Sequence, residues 1–423
     1  MFKIGVSKID ITPPVGLDLQ GFVAREGCSV GVHSKLFTKA LVIEYKGKIN
    51  LIVNCDLLAV NEKLALDIKT KIEKECGIKK ENIIIFATHT HSGPATVFLR
   101  KCGEPDSKYI NLLKEKIATC VSSANKKKKE AVIGIGKGKV QIGINRREKK
   151  GKEMIIGENP NGPIDTELSV IKIDTSAGKP IALIVNYSCH PVILGPENRH
   201  ISGDYPAFAT DFIEKNTGAP ALFITGASAN INPISGVTNS FKEVERLGKK
   251  IALETLRIKD KIKTKPVNYF KTANYVLQLS AGFLSRKEIE KEKKAFAKEK
   301  TLETRAKSEW AQLALKEISG KKNPPKINLE LNALAVNDIV FSTFPVELFV
   351  EVGLNIKKKS KFPNTIIGCY ANGCVGYVPT KKEYLKKGYE IEDSYKYFGI
   401  YPLAPGTGEL LQKIALKLIN NLK

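Results

Sequence analysis

Ile83-Ile84-Ile85-Phe86-Ala87-Thr88-His89-Thr90-His91-Ser92-Gly93-Pro94 is the stretch from which the rest of the chain can be read. The short apolar run, rich in Ile and bounded by a polar turn, reads as a buried strand. In extended backbone, residues two apart share a side, so the imidazoles of His89 and His91 are expected to face one pocket. The chain has only five histidines, and two of them stand here. A third, His190, ends another apolar run, Ile181 to Val185, in Asn186-Tyr187-Ser188-Cys189-His190-Pro191. Imidazoles gathered at strand ends suit zinc or a similar transition metal. His33 and His200 are isolated and read as structural.

The same grammar of strand, polar turn and helix recurs outward from this stretch. Ile49 to Val53 leads into Asn54-Cys55-Asp56, and Ala221 to Ile224 leads into Thr225-Gly226-Ala227-Ser228-Ala229-Asn230. Helical patterns lie between, over Glu62 to Cys76, Lys108 to Ala124 and Phe208 to Asn216. The alternation predicts an α/β fold, a mixed but largely parallel β-sheet core flanked by helices. Ligands in such folds bind beyond the carboxyl ends of the strands, where all these polar turns fall. A charged stretch, 285–320, predicts a helical insertion, a surface excursion or a lid, closed by Pro324-Pro325. A further strand–helix unit follows at Ile339 to Thr343 and Pro345 to Phe349, with Glu347 in the first turn of a helix opened by Pro345. No internal repeat is evident. Residues 1–423 read as one catalytic domain, with an alternative division near 265.

Composition limits the function. With 42% hydrophobic and 26% charged residues, the chain reads as globular. No run approaches the roughly 18 apolar residues of a membrane span, so stable membrane insertion is not expected. The N-terminus lacks the pattern of a secretion signal, which points to the cytoplasm. Eight scattered cysteines without a C-x-x-C pair argue against a thiolate zinc knuckle and a disulfide framework. A net charge of +24 raises the question of nucleic acid. The charge is mostly Lys in short runs (Lys126 to Lys129, Lys357 to Lys359, Lys381-Lys382) without interleaved aromatics. It reads as solvated surface, and no nucleic-acid partner is expected.

Gly5-Val6-Ser7-Lys8-Ile9-Asp10-Ile11-Thr12-Pro13-Pro14, the His89–His91 string, Cys189-His190-Pro191, Ser202-Gly203-Asp204-Tyr205-Pro206 and Gly376-Tyr377-Val378-Pro379-Thr380 through Gly388-Tyr389-Glu390 occur in this order. Together they resemble the neutral (non-lysosomal) ceramidase superfamily over nearly the whole chain. The resemblance implies a zinc ion held by His89, His190, Glu347 and Tyr377. It implies further that His91, Arg146 and Tyr389 handle protons and hold the scissile carbonyl. Two imidazoles, a carboxylate and a weak phenol ligand leave zinc electrophilic, with a position open to water. The implied chemistry is zinc-dependent hydrolysis of an amide by metal-activated water, with a small-molecule or lipid-like N-acyl compound as substrate.

The chain departs from that pattern in two ways. Where ceramidases proper carry Gly-Asp-Val-Ser-Pro-Asn, this sequence reads Ala229-Asn230-Ile231-Asn232-Pro233, which puts Asn232 at the place of the serine. Ser228 is offset by four residues. The sequence also ends at Lys423, short of the C-terminal β-sandwich of the long ceramidases. We therefore expect an amide substrate other than long-chain ceramide, with Asn232 donating a hydrogen bond in the site. Two alternatives are a true ceramidase, whose positive charge aids docking to anionic membranes, and an inactive ligand-binding descendant.

Overall fold

The computed structural model describes all residues except 283, 298–300 and 319–325. Its β-structure is not one largely parallel sheet. Three four-strand arrangements follow the same plan, two antiparallel pairings and then one parallel pairing across a helix. The first runs Phe2–Asp10, Phe37–Tyr45, Lys48–Cys55 and Ile83–Ala87, crossing over through the helix Glu62–Cys76. The second runs Val132–Lys139, Glu167–Asp174, Pro180–Tyr187 and Ala221–Thr225, through the helix Asp204–Thr217. The third runs Phe270–Ser280, Lys326–Val336, Ile339–Thr343 and Asn364–Gly368, through the helix Val350–Lys359.

The sequence reading caught the strand–helix crossovers and missed their antiparallel partners, hence its parallel bias. It also missed the threefold repetition, because the repeated feature is a pattern of pairing that different apolar residues satisfy equally well.

Local chemistry explains these units. Lys46 and Gly47 both adopt positive φ (48° and 80°), the geometry of a tight two-residue hairpin turn. Asn61 caps the first crossover helix by accepting the N–H of Leu64 at 2.8 Å, and Gly77 ends that helix at φ 69°. Leu64, Ile68 and Ile72 lie on its buried face, the one-sided spacing of an amphipathic helix.

Each sheet exposes its parallel strand as an edge, and the three edges meet in the interior. An edge strand buried there needs partners for its free backbone groups. Three asparagines supply them in a ring. Asn54 of the first sheet donates to Phe223 O (2.9 Å) and accepts from Phe223 N (3.1 Å) in the second. Asn186 of the second donates to Ile367 O of the third at 2.9 Å. Asn372, just beyond the third, accepts from Ile85 N of the first at 2.8 Å. Each bond nets about 1 kcal/mol, but leaving these groups unpaired would cost more. Ile84, Phe86, Ile184, Leu222, Ile224, Phe341 and Ile366 pack around the junction in one apolar cluster. The ring brings the carboxyl ends of strands from all three sheets together.

The predicted insertion is two helices, Arg286–Phe296 and Leu302–Ile318. The rest of that expectation, residues 298–300, 319–320 and the closing Pro324-Pro325, lies outside the described residues. Trp310 anchors the pair by donating to Ile400 O at 2.9 Å and packing on Tyr395 and Tyr401. Near the alternative division, Lys265 pairs with Ile133 of the second sheet. All eight cysteines are free thiols.

Candidate metal centre and active site

His89 leaves its strand by a sharper route than the sequence implied. Its backbone is not extended but left-handed, at φ 70°. A non-glycine residue pays about 1–3 kcal/mol for that conformation and needs surrounding structure to hold it. Here His89 N donates to Leu57 O at 2.9 Å, Nδ1 donates to Leu58 O at 2.8 Å, and the ring stacks on Tyr370 at 3.8 Å. His91 Nδ1 donates to Gly21 O at 3.1 Å. Gly21 must be glycine, since its φ is 123° and a Cβ there would come within 2.5 Å of His91 Nδ1. His190 Nδ1 donates to Ser228 O at 2.6 Å.

A carbonyl can only accept, so each ring carries its proton on Nδ1 and turns an Nε2 lone pair inward. The three imidazoles present nitrogens within 4.8 Å of one another. His89 Nε2 and His91 Nε2 are 3.3 Å apart. Glu347 completes the group, its Oε2 lying 3.1 Å from His190 Nε2 and 3.4 Å from His89 Nε2. Burial lowers His190 to about 4, and burial together with His89 and His190 lowers His91 well below its ordinary value. Burial works against the Glu347 charge, but His89 and His190 more than offset it and hold the carboxyl below its usual range. A proton can bridge only one pair of these inward atoms. A cation among them satisfies several of these atoms at once, and fixing each ring through its other nitrogen is how proteins orient metal-binding imidazoles.

Glu347 is not in a helix, as the sequence reading had it. It lies in the short strand Glu347–Leu348, paired in parallel with Tyr377–Val378, and the next helix starts at Val350. Backbone pairing, not a helix dipole, places this carboxylate. The pairing puts Glu347 and Tyr377 side by side in register. Burial and the Glu347 charge push the Tyr377 phenol well above its ordinary value.

Arg146, Asn232 and Tyr389 line the same cavity. Arg146 Cζ lies 5.3 Å from the Tyr377 ring centroid and 5.9 Å from that of Tyr389. Its Nε donates to Glu390 at 2.9 Å, its Nη1 to Asn232 Oδ1 at 3.4 Å, and its buried Nη2 has no hydrogen-bond partner. Burial opposes the Arg146 charge, but Tyr377 and Glu390 outweigh it and raise the group above its ordinary value. Glu390 also receives Arg147, which reaches Glu383 (2.9 Å) and Lys387 O (2.7 Å) as well. This network ties the hairpin Gly143–Lys150 and Glu153–Asn159 to the segment carrying Tyr389.

The cavity holds about 800 Å³. Phe22, Leu58, Val97, Leu99, Met154 and Phe398 supply much of its apolar wall, and Glu303 and Lys307 of the insertion reach it. His89, His91, Glu347, Tyr377, Arg146, Asn232 and Tyr389 all line it, with His190 buried beneath. Ser228 does not line it. Its Oγ is 3.2 Å from Tyr370 OH, under the histidines. Asp204, to which the sequence motif gave no role, accepts Leu194 N (3.0 Å) and Tyr205 N (2.7 Å).

Tyr370, Gly21, Arg147 and Glu390 were not foreseen as parts of the site. The adjacent Arg146-Arg147 pair and Glu390 directly after Tyr389 were available signals. Tyr370 and Gly21 carried none.

Residues 2–239 match the family described as "Neutral/alkaline non-lysosomal ceramidase, N-terminal". The chain belongs to that family. The neutral ceramidase of Pseudomonas aeruginosa is 24% identical over 251 residues, 55% of this chain and 37% of that protein. A neutral ceramidase of Oryza sativa is 23% identical over 226 residues, 50% of this chain and 29% of that protein. The matched segments thus span about a third of these relatives' length. A solved structure of the Pseudomonas aeruginosa neutral ceramidase shares the fold with a TM-score of 0.77 at 18% identity. It covers all of this ceramidase-family chain and 74% of that one.

Proposed function

We propose that this ceramidase-family chain is a metal-dependent hydrolase that cleaves the amide bond of an N-acylated lipid of the ceramide kind. The observation that carries the proposal is the convergence of three Nε2 lone pairs and a carboxylate at the floor of a largely apolar cavity. His89, His190, Glu347 and Tyr377 would hold the ion, zinc by donor chemistry, with His91 left beside it. When bound, such an ion supplies Lewis acidity for a carbonyl and a nucleophile from water near neutral pH.

The remaining roles fall to the chain itself. Arg146 Nη2, cationic and unpartnered, is the donor for the developing oxyanion, with the amide nitrogen of Asn232 beside it. Its grip on Glu390 and Asn232 means that it need not reorganise during reaction. Tyr389, whose phenol is pushed well above its ordinary value by burial first and by Tyr377 and Glu347, keeps its proton. It is suited to protonating the leaving amine. His91 is oriented by Gly21 and presents a free Nε2 lone pair, as a base must.

The relatives favour ceramide itself over the unrelated amides expected from Asn232 and chain length. The test is hydrolysis of N-acylsphingosines of graded acyl length against N-acyl amino acids, with and without chelator. Chelator-sensitive release of sphingosine supports the reading, and turnover of N-acyl amino acids alone rejects it.

A further inference from the structure

An outer groove shares Lys152, Glu153, Met154, Lys386 and Lys387 with the cavity and adds Lys149 and Leu385. Leu385 is 88% exposed, the most of any large apolar side chain among the described residues. A lone exposed leucine needs no explanation. This one stands by a cavity mouth where Ile156 and Val237 are also 48% and 43% exposed. Lys149, Lys152, Lys386 and Lys387 line the groove beside Leu385, and Lys150, Lys381 and Lys382 lie close to them in sequence; all seven are exposed. Lys386 pairs with Glu383 and Lys387 with Glu392. The other five have no ion-pair partner among the described residues. Glu148, Glu153 and Glu158 share the groove, whereas Glu383 and Glu390 are paired with Arg147, and Glu390 also with Arg146.

An apolar tip ringed by lysines matches an anionic bilayer, acyl region to leucine and headgroups to ammonium groups. The location adds a reason. A lipid drawn from a membrane through water loses about fourfold in population per exposed methylene, and a mouth seated on the bilayer avoids that loss.

We propose that the rim formed by the hairpin turn 149–152 and the segment 381–387 docks this protein on anionic lipid membranes, with its cavity opening toward the bilayer. This rests on the function proposed above and adds the route by which the substrate enters.

Vesicle co-sedimentation without substrate tests it, comparing phosphatidylcholine with equimolar phosphatidylcholine and phosphatidylserine. Binding should require phosphatidylserine and weaken with salt. Lys149→Glu/Lys150→Glu/Lys152→Glu should lower partitioning by more than about a hundredfold, each lost lysine being worth about fivefold and each new carboxylate adding repulsion. Leu385→Ser should lower it about tenfold. Lys126→Glu/Lys127→Glu/Lys129→Glu, an equal change of net charge elsewhere, should bind like wild type. Equal loss in that control, no preference for phosphatidylserine, or full binding by Leu385→Ser overturns the proposal. The last result together with heparin binding would mark a general polyanion surface. Turnover of a soluble short-chain N-acylsphingosine is read separately. Its absence in wild type counts against the hydrolase reading, while unchanged soluble turnover with no vesicle binding counts against docking alone.

Discussion

The floor and the roof of the cavity are built by different physics. On the floor, His89, His91 and His190 each spend one nitrogen on a backbone carbonyl, and Glu347 sits in a strand pairing, so the sheets themselves set the geometry. The roof, with Arg146 and Tyr389, is joined by ion pairs among Arg146, Arg147, Glu383 and Glu390. A floor of this kind cannot shift without unmaking the fold. A roof fastened by a few charges can be loosened while the floor stays whole. Metal retention and turnover should therefore be separable.

The harshest test is on the floor. His190→Ala or Glu347→Ala should empty the metal centre and bring turnover to background, read by metal analysis of the purified protein. A metal-loaded His190→Ala variant would break the comparison. His91→Ala comes next and should keep most of the metal while turnover falls about 10²–10⁴-fold, the range for losing a general acid or base. Metal loss matching that of His89→Ala would move His91 into the ligand set.

On the roof, Glu390→Gln leaves two buried guanidinium groups short of their carboxylate and should cost about 3–5 kcal/mol in unfolding free energy. Metal content of the folded fraction should be unchanged. Acid should weaken the metal-free floor. His190 titrates near 4 in the folded chain against an ordinary 6.5, so between these values the unfolded chain binds more protons. Stability contributed by this residue is present above pH 6.5 and falls as pH drops toward 4, by up to about 1.4 kcal/mol per unit. Thermal melts of metal-free protein across that window check the sign. Smallest of all is Ser228→Ala, which loses one bond to Tyr370, about 1 kcal/mol. It should retain turnover, and the unsubstituted protein incubated with substrate should show no covalent acyl adduct by mass spectrometry. An adduct at Ser228 would reinstate a serine nucleophile.

The site was more legible than the fold around it. His89, His91 and His190 were named from their places at strand ends, Arg146, Asn232, Glu347, Tyr377 and Tyr389 through the family resemblance, and the structure gathers all of them at one cavity. Two local expectations gave way. His89 turns through a left-handed backbone, and Glu347 belongs to a strand instead of a helix. Both errors came from extending a local rule across a point where tertiary hydrogen bonds, to Leu57 and from Glu347 N to Gly376 O at 2.9 Å, take over.

By itself the sequence determined the elements and where the donor side chains fall: apolar runs of strand length, the helical pattern from Glu62 to Cys76, and histidines placed where strands end. Those signals are local, carried by side-chain periodicity and residue type. Only the tertiary structure decided that the strands form three sheets on one plan, that Asn54, Asn186 and Asn372 seal their buried edges, and that Arg147 and Glu390 hold the roof. The edge contacts join residues 169, 181 and 287 positions apart. Whether a buried asparagine finds a backbone partner or an arginine its carboxylate depends on packing between distant segments, which no local pattern encodes.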